Sequence, residues 1–480
     1  MIKQSLWTDN IKVRALHRLN KNIKTDILII GGGIAGISTA FNLKNSNQQI
    51  TLVDSYKIGF GVSSKNTGKV TFFQGYYNKI KDIYDNDTAL LYLRSQKEAI
   101  KIIKNNILNY NIKCHFKGTS SYLFADSEKG IKELEKEEAF FTENNIKITN
   151  KKSLPIKFPL IKAISLANTA VFHPVKYILA LKEELRKKKN IKLYENTPII
   201  KVKKTANGYI AYTEKYTIET NKIILCCHYP FSIIDGYIPF KTTVEKSFLT
   251  ASKTSKPKSF SAINMDSSTY SISYFDDEDD YILFLSNSNS LNKNMDNEKK
   301  YQDHINLAKE YFDHVNYAWS NHDIITSDYL PFIGALNKNL FIATGFNTWG
   351  MTNGVIAGKL LSDLLLNKDN NYINLFNPKR SLNIKVLSYN IKNGLNYINS
   401  KLNNSIEPSP KVEIIEYQGE KYGVYTDENK KRHYVKNICP HMKCNLIFNN
   451  VEKTWDCACH GSRFDIDGNV IQGPAVDNIK

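Results

Sequence analysis

Two short boxes near the C-terminus hold the residue types best suited to metal chemistry: Cys439-Pro440-His441, then Cys457-Ala458-Cys459-His460-Gly461-Ser462. C-x-H on one loop and C-x-x-H on another supply two thiolates and two imidazoles. A 2Fe-2S cluster with unequal irons needs that set, thiolates on one iron and neutral imidazoles on the other. A structural zinc ion accepts the same four ligands. C-x-H is an unusual zinc spacing, however, and the extra pair Cys444 and Cys459 would have no part in such a site. The cluster is the expected occupant, held by Cys439, His441, Cys457 and His460.

Loops that face each other need strands behind them. Val412 to Tyr417 and Tyr422 to Thr426 read as strands, with a turn at Asp427-Glu428-Asn429, so residues 411–480 are expected to form a small all-β domain. Before it, 382 to 402 carries a helical pattern and Ile406-Glu407-Pro408-Ser409-Pro410 a stiff stretch. Residues 371–410 therefore read as a connecting helix and linker.

A second chemistry-bearing stretch lies near the N-terminus. Ile27-Leu28-Ile29-Ile30 suits a buried parallel strand, followed by Gly31-Gly32-Gly33-Ile34-Ala35-Gly36 and a helix to about Leu43. In such a turn the first glycine allows the bend, the second lets a pyrophosphate approach the backbone, and the third lets helix pack on strand. The phosphates then meet the helix N-terminus. A second strand, Ile50 to Val53, ends at Asp54, whose carboxylate is placed for a ribose. The cluster takes electrons singly, whereas a nicotinamide delivers a hydride. FAD bridges the two, because a flavin accepts a pair and releases single electrons.

Composition sets limits. At 480 residues the chain should fold as about three domains, and 42% hydrophobic with 23% charged residues is ordinary for a globular protein. The net charge of +18 is uneven: residues 405–480 hold 10 Lys+Arg against 11 Asp+Glu, leaving 55 against 36 before them. Those basic residues are scattered lysines without a nucleic-acid motif, so a solvated basic surface is expected and nucleic acid is not. An acidic redox partner protein stays open, since charge speeds encounter. Met1 to Lys24 shows no leader-like apolar stretch and no apolar run is long enough for an integral membrane segment, so a cytoplasmic location is expected.

The cluster boxes, with Pro440 and Gly461-Ser462, resemble the Rieske family. In members carrying the extra cysteine pair those cysteines bond, which implies a Cys444–Cys459 disulfide, although a reducing compartment disfavours one. The segment from Gly59 to Thr71, including Ser63, Lys65, Thr67, Gly68 and Lys69, resembles the second conserved block of the D-amino-acid oxidase and glycine oxidase type of flavoenzyme. There the block lies along the FAD pyrophosphate and isoalloxazine. Thr197 to Val202, with Ile199, resembles the strand that holds the adenine. Gly345, Phe346, Gly350, Met351 and Thr352, opening a helix through Leu366, resemble the closing FAD motif. With Gly31, Gly33, Ile34, Ala35, Gly36 and Asp54 these are the expected cofactor-binding residues.

The implied architecture is an α/β FAD-binding (Rossmann-type, D-amino-acid-oxidase-like) domain from 1–95, 165–235 and 320–370. An antiparallel-sheet substrate or cap domain follows from 96–164 and 236–319. Helical periods at 88–109 and 127–144 cover and connect. Strands at Tyr270 to Tyr274 and Tyr281 to Leu285 face the substrate. His173 before its helix reads as a cap or core residue, with a flavin-facing role as the alternative. Cys226 and Cys227 read as core packing at the end of a strand from Lys222. No arginine stands in the expected sheet from about Phe240 to Leu285 to pair with a substrate carboxylate, which counts against an amino-acid substrate. The expected function is an FAD-dependent oxidoreductase exchanging electrons between a small organic substrate, an amine or amino acid, and the cluster, in either direction. The alternative is a redox-sensing or electron-carrier protein without substrate chemistry. Respiratory Rieske centres carry a Ser and, two residues on, a Tyr that donate hydrogen bonds to cluster sulfurs. Ser462 keeps the first and Phe464 replaces the second, so a lowered potential is expected.

Overall fold

The computed structural model describes residues 1–480 apart from 3, 231–237, 239–240, 255–258, 267–269, 277–278, 291–296, 313, 382, 384 and 387–410. Strand Ile23–Ile30 lies at the centre of a sheet, parallel to Ile50–Val53 on one side and Thr217–Leu225 on the other. Ile191–Tyr194 and Leu340–Thr344 extend the parallel set, and Phe332–Asn337 closes one edge antiparallel. Ile27, Leu28 and Ile29 are all buried, so successive side chains on both faces are covered, which is why the run shows no polar alternation. Helix Ile34–Leu43 packs against helix Gly350–Leu365. A Cβ at Gly358 would stand 2.4 Å from Ser38 Cβ, so this close crossing requires glycine.

The second sheet has nine strands, running Tyr317–Thr326, Thr242–Lys253, Asp280–Ser290, Ser271–Asp276, Phe260–Asn264, Lys117–Ala125, Lys162–Val171 and Lys69–Val70, with Thr149–Lys151 paired to Lys162–Val171. It runs past the boundaries expected at 164 and 319, because Tyr317–Thr326 pairs along its length with Thr242–Lys253. The expected helices form as Asn86–Asn109 and Glu128–Glu143, capped by Asp85 and Ser127 side chains on the Thr88 and Gly130 amides. His173 caps helix Pro174–Arg186 through Nδ1, which accepts from Lys176 N at 3.2 Å, and its ring meets Trp7 edge-on; it does not line the cavity described below.

Two local expectations change. The strand expected to reach Cys227 stops at Leu225: Cys226 N still donates to Ile30 O, but Tyr229 N then turns back to Cys227 O and His228 takes φ +66°. The strand expected from Thr197 begins only at Lys201; Pro198 has no N–H, and Thr197 N donates to Asp54 O instead. The helix expected at 382–402 lies almost wholly outside the described residues.

The C-terminal segment forms two small antiparallel sheets, one of Val412–Tyr417, Glu420–Thr426 and Arg432–Lys436, the other of Leu446–Asn449, Thr454–Cys457, Arg463–Phe464 and Val470–Gln472. Trp455 and Phe464 fill the space between them with no exposure. Among the described residues no helix is long and apolar enough to cross a membrane.

Candidate functional site

A cavity of about 1710 Å³ opens between the C-terminal ends of the parallel strands and the nine-stranded sheet. It is lined by Gly31, Gly33, Ile34, Ala35, Asp54, Ser63, Lys65, Thr67, Lys69, Ile199, Gly345, Phe346, Gly350, Met351 and Thr352, residues scattered through the chain that the fold brings together. Gly36 and Gly68 do not line it. A Cβ on Gly36 would stand 1.9 Å from Gly31 O, and one on Gly68 2.7 Å from Phe172 O, so both glycines serve close backbone packing rather than ligand contact.

The turn is shaped for a phosphate group. Gly31 has φ +108°, where a Cβ would meet Cys226 O at 2.4 Å. Neither Gly33 nor Trp349 caps its helix with a side chain, and although Ser63 Oγ accepts from Ile34 N at 3.0 Å, two helix N-termini meet the cavity with further first-turn amides to offer. Asp54 accepts from Gly32 N at 2.7 Å and Tyr56 N at 2.8 Å, while burial pushes its carboxyl above the ordinary range. Lys69 donates to Ala262 O and Ser271 Oγ, and burial pushes its amine down to about 7. These features fit a dinucleotide such as FAD.

In the C-terminal domain the Cys439 thiol lies within hydrogen-bonding reach of Cys457 and Ser462. The rings of His441 and His460 stand 5.0 Å apart at 90°. His441 Nδ1 is buried and has no partner among the described residues, an atom that calls for a metal. Backbone bonds from Cys439 N to Cys444 O and from Cys457 N to Ser462 O shape the two loops, and a Cys444–Cys459 disulfide joins them. The sulfurs of Cys444, Cys457 and Cys459 lie within 4.8 Å of one another, but two are consumed by the disulfide. The donor set left is two thiols and two imidazoles, which fits a 2Fe-2S cluster.

The two sites adjoin. Tyr229 lines the cavity, and its ring lies 4.9 Å from His460 and 6.2 Å from His441. Residues 470–478 of the small domain also line the cavity. Beneath them runs a buried ion network: Lys246 reaches Asp456 at 3.2 Å and Glu452 at 3.3 Å, and Arg463 reaches Glu452 at 2.7 Å and Asp456 at 3.1 Å. Ser320 donates to Glu452 from the neighbouring strand, and His322 Nδ1 lies 3.3 Å from Gly461 O. Burial, then Arg463, pushes the Lys65 amine down to about 8. Sequence reasoning passed over Tyr229, Lys246 and the cavity-lining Glu245 and Asp323. The alternation Val244-Glu245-Lys246-Ser247-Phe248 marks a two-faced strand, yet nothing local says what either face meets.

Comparison with known proteins agrees with this geometry. The family model for FAD-dependent oxidoreductases matches residues 26–364, and that for the Rieske 2Fe-2S domain matches 403–480. A Bacillus subtilis protein named for a Rieske 2Fe-2S iron-sulfur centre, YhfW, is 30% identical over 99% of this chain and 97% of its own length. The probable oxidoreductase OrdL of Haemophilus influenzae is 22% identical over 72% of this chain and 83% of its own. Glycine oxidase from Geobacillus kaustophilus superposes with a TM-score of 0.61 at 15% identity, covering 75% of this chain and 99% of that one. The chain therefore belongs to the D-amino-acid-oxidase family of FAD-dependent oxidoreductases and carries, at its C-terminus, a Rieske domain that binds a 2Fe-2S cluster.

Proposed function

We propose that this oxidoreductase exchanges electrons between a small organic substrate, oxidised or reduced in the cavity, and the C-terminal cluster, with both cofactors held in one chain. The observation that carries this reading is Tyr229, which borders the cavity on one side and meets the rings of His460 and His441 on the other. FAD supplies two-electron chemistry toward the substrate and single electrons toward the cluster. In this reading the glycine turn and the amides from Gly350 onward hold FAD, Asp54 its ribose and Ile199 its adenine. Cys439, His441, Cys457 and His460 hold the cluster. The enclosing strands keep water away, and the ion network around Lys246 fixes the distance between the two sites.

Anaerobic photoreduction of the complete protein tests the reading. As flavin absorbance bleaches, the electron paramagnetic resonance signal of the reduced cluster should rise. A fully bleached flavin beside a cluster that stays oxidised would count against it.

A further inference from the structure

The wall of the cavity formed by the nine-stranded sheet carries a cluster of polar groups outside the motifs assigned to FAD. Strands Thr242–Lys253 and Tyr317–Thr326 pair antiparallel with Glu245 directly opposite Asp323 and Ser247 directly opposite Asn321. All four line the cavity. Two carboxylates placed directly across from each other repel, a cost that a proton on one of them or a shared cation relieves. Among the described residues no lysine or arginine forms an ion pair with Asp323; its described hydrogen bond comes from Asn321 Nδ2 at 3.0 Å. Both carboxylates keep part of their surface accessible.

A separate observation points to a ligand. Ser247 is 3% exposed and Asn321 4%, yet Ser247 Oγ and Asn321 Oδ1 have no hydrogen-bond partner among the described residues. A buried hydroxyl and amide oxygen bordering a cavity want a donor from whatever fills it. All four side chains accept hydrogen bonds, and Ser247 and Asn321 can donate as well.

The surroundings separate this corner from the basic residues of the cavity. Asp323 is influenced by its own burial, then by Glu245 and Asn321, whereas Lys65 answers to its burial and to Arg463, Glu452, Asp456 and Lys246. Lys79 borders the cavity with Nζ 5.4 Å from the Tyr329 ring, and no ion pair between it and Glu245 or Asp323 is seen among the described residues. Tyr329, close enough to Glu245 to feel its charge, stacks on Tyr76 at 5.5 Å and supplies an apolar surface. It holds φ +62°, a conformation a tyrosine rarely adopts, next to Asp328, which Arg380 clamps through two nitrogens at 2.7 and 2.8 Å. No strand of the nine-stranded sheet contains an arginine, and neither does the described lining of the cavity.

We propose that Glu245, Asp323, Ser247 and Asn321 form the substrate's ammonium subsite, so that the substrate is a cationic amine without a carboxylate at that end, its alkyl part lying against Tyr76 and Tyr329. This deepens the reading of the cavity as the substrate site and rests on it.

Calorimetric titration of the oxidised, complete protein tests the assignment, with 1,4-diaminobutane as probe and 1,4-butanediol and glycine as comparisons. Diaminobutane should bind measurably and the diol and glycine far more weakly. Asp323→Asn and Glu245→Gln should each weaken diaminobutane about ten- to a hundred-fold, the loss expected for one charge-assisted hydrogen bond, and Ser247→Ala by a few-fold. Equal affinity for diamine and diol, tighter binding of glycine, or undiminished diamine binding in both charge variants would overturn the proposal. Should a variant fail to retain FAD, the ligand series on the unaltered protein decides alone. Calorimetry on oxidised protein reads no electron transfer, so failure here and failure of transfer to the cluster are separate results.

Discussion

Phe464 is fully buried, pairs with Trp455 across one strand and Val470 across the next, and brings no hydroxyl to the neighbouring cysteine sulfurs. Hydrogen bonds to cluster sulfurs stabilise the reduced state and raise its potential. Phe464→Tyr should therefore raise the midpoint by tens of millivolts: a hydrogen bond to a charged group contributes about 1.5 kcal/mol or more, and about 59 mV corresponds to 1.4 kcal/mol for one electron. A redox titration followed by electron paramagnetic resonance checks it, and an unchanged or lowered midpoint would refute the role assigned to position 464. At Gly33 a Cβ would stand 3.0 Å from Ser63 Oγ, which itself accepts from Ile34 N. Gly33→Val should abolish flavin retention, read as the absorbance of the purified protein. Burial, then Glu245, pushes Asp323 up to about 7. Its carboxyl is neutral below that pH and charged above it, while a primary amine stays protonated to roughly 10. Diaminobutane should accordingly bind more tightly at pH 8 than at pH 6, and a flat profile would remove Asp323 from the subsite. The glycine turn and the Cys/His boxes of the Rieske domain were legible in the sequence because their pattern is set by spacing within a few residues. Gly36 and Gly68 were legible as motif members, but whether a glycine faces ligand or backbone depends on what lies across from it.

Among the elements, strand Thr242–Lys253 joins a wall of the cavity to the cluster domain, since alternate side chains point to opposite faces. Glu245 and Ser247 meet the cavity, while Lys246 runs the other way to Asp456 and Glu452. Lys246 is 0% exposed, so Lys246→Met should destabilise the protein by about 3 to 5 kcal/mol by leaving buried Asp456 and half-buried Glu452 with Arg463 as the one ion-pair partner among the described residues. Thermal unfolding reads this, and an unchanged melting temperature would mean the network contributes nothing to docking. Burial alone would raise Glu452, but Arg463 and Lys246 outweigh it and hold the carboxyl at about 2. A carboxylate lowered in the folded state adds stability above its unfolded pKa, near 4.3, and loses it as pH falls toward 2. Melting temperature should drop between pH 5 and 3, and less so in Glu452→Gln; equal slopes would contradict the linkage. The pairing of Glu245 with Asp323 was invisible in the sequence because it depends on the register of two strands far apart in the chain. Lys246 and Asp456, 210 residues apart, are harder still to connect. The short strand ends at Leu225 and Lys201 were missed for a local reason, a change of backbone direction that apolar composition does not signal.

Across the whole molecule, a flavin-binding fold and a Rieske domain meet in one chain so that the histidine edge of the cluster loops faces the cavity through Tyr229. The presence of both cofactors could be read from local motifs, whereas their mutual placement could not. It depends on the surface of the nine-stranded sheet against which residues of the small domain close. If that placement serves electron exchange, transfer needs no encounter between molecules. Flash photoreduction of the flavin in the complete protein, with cluster reduction followed over a range of protein concentrations, measures this directly. The account predicts a first-order rate that does not change with concentration. A rate proportional to concentration, or no transfer from reduced flavin to cluster, would contradict it.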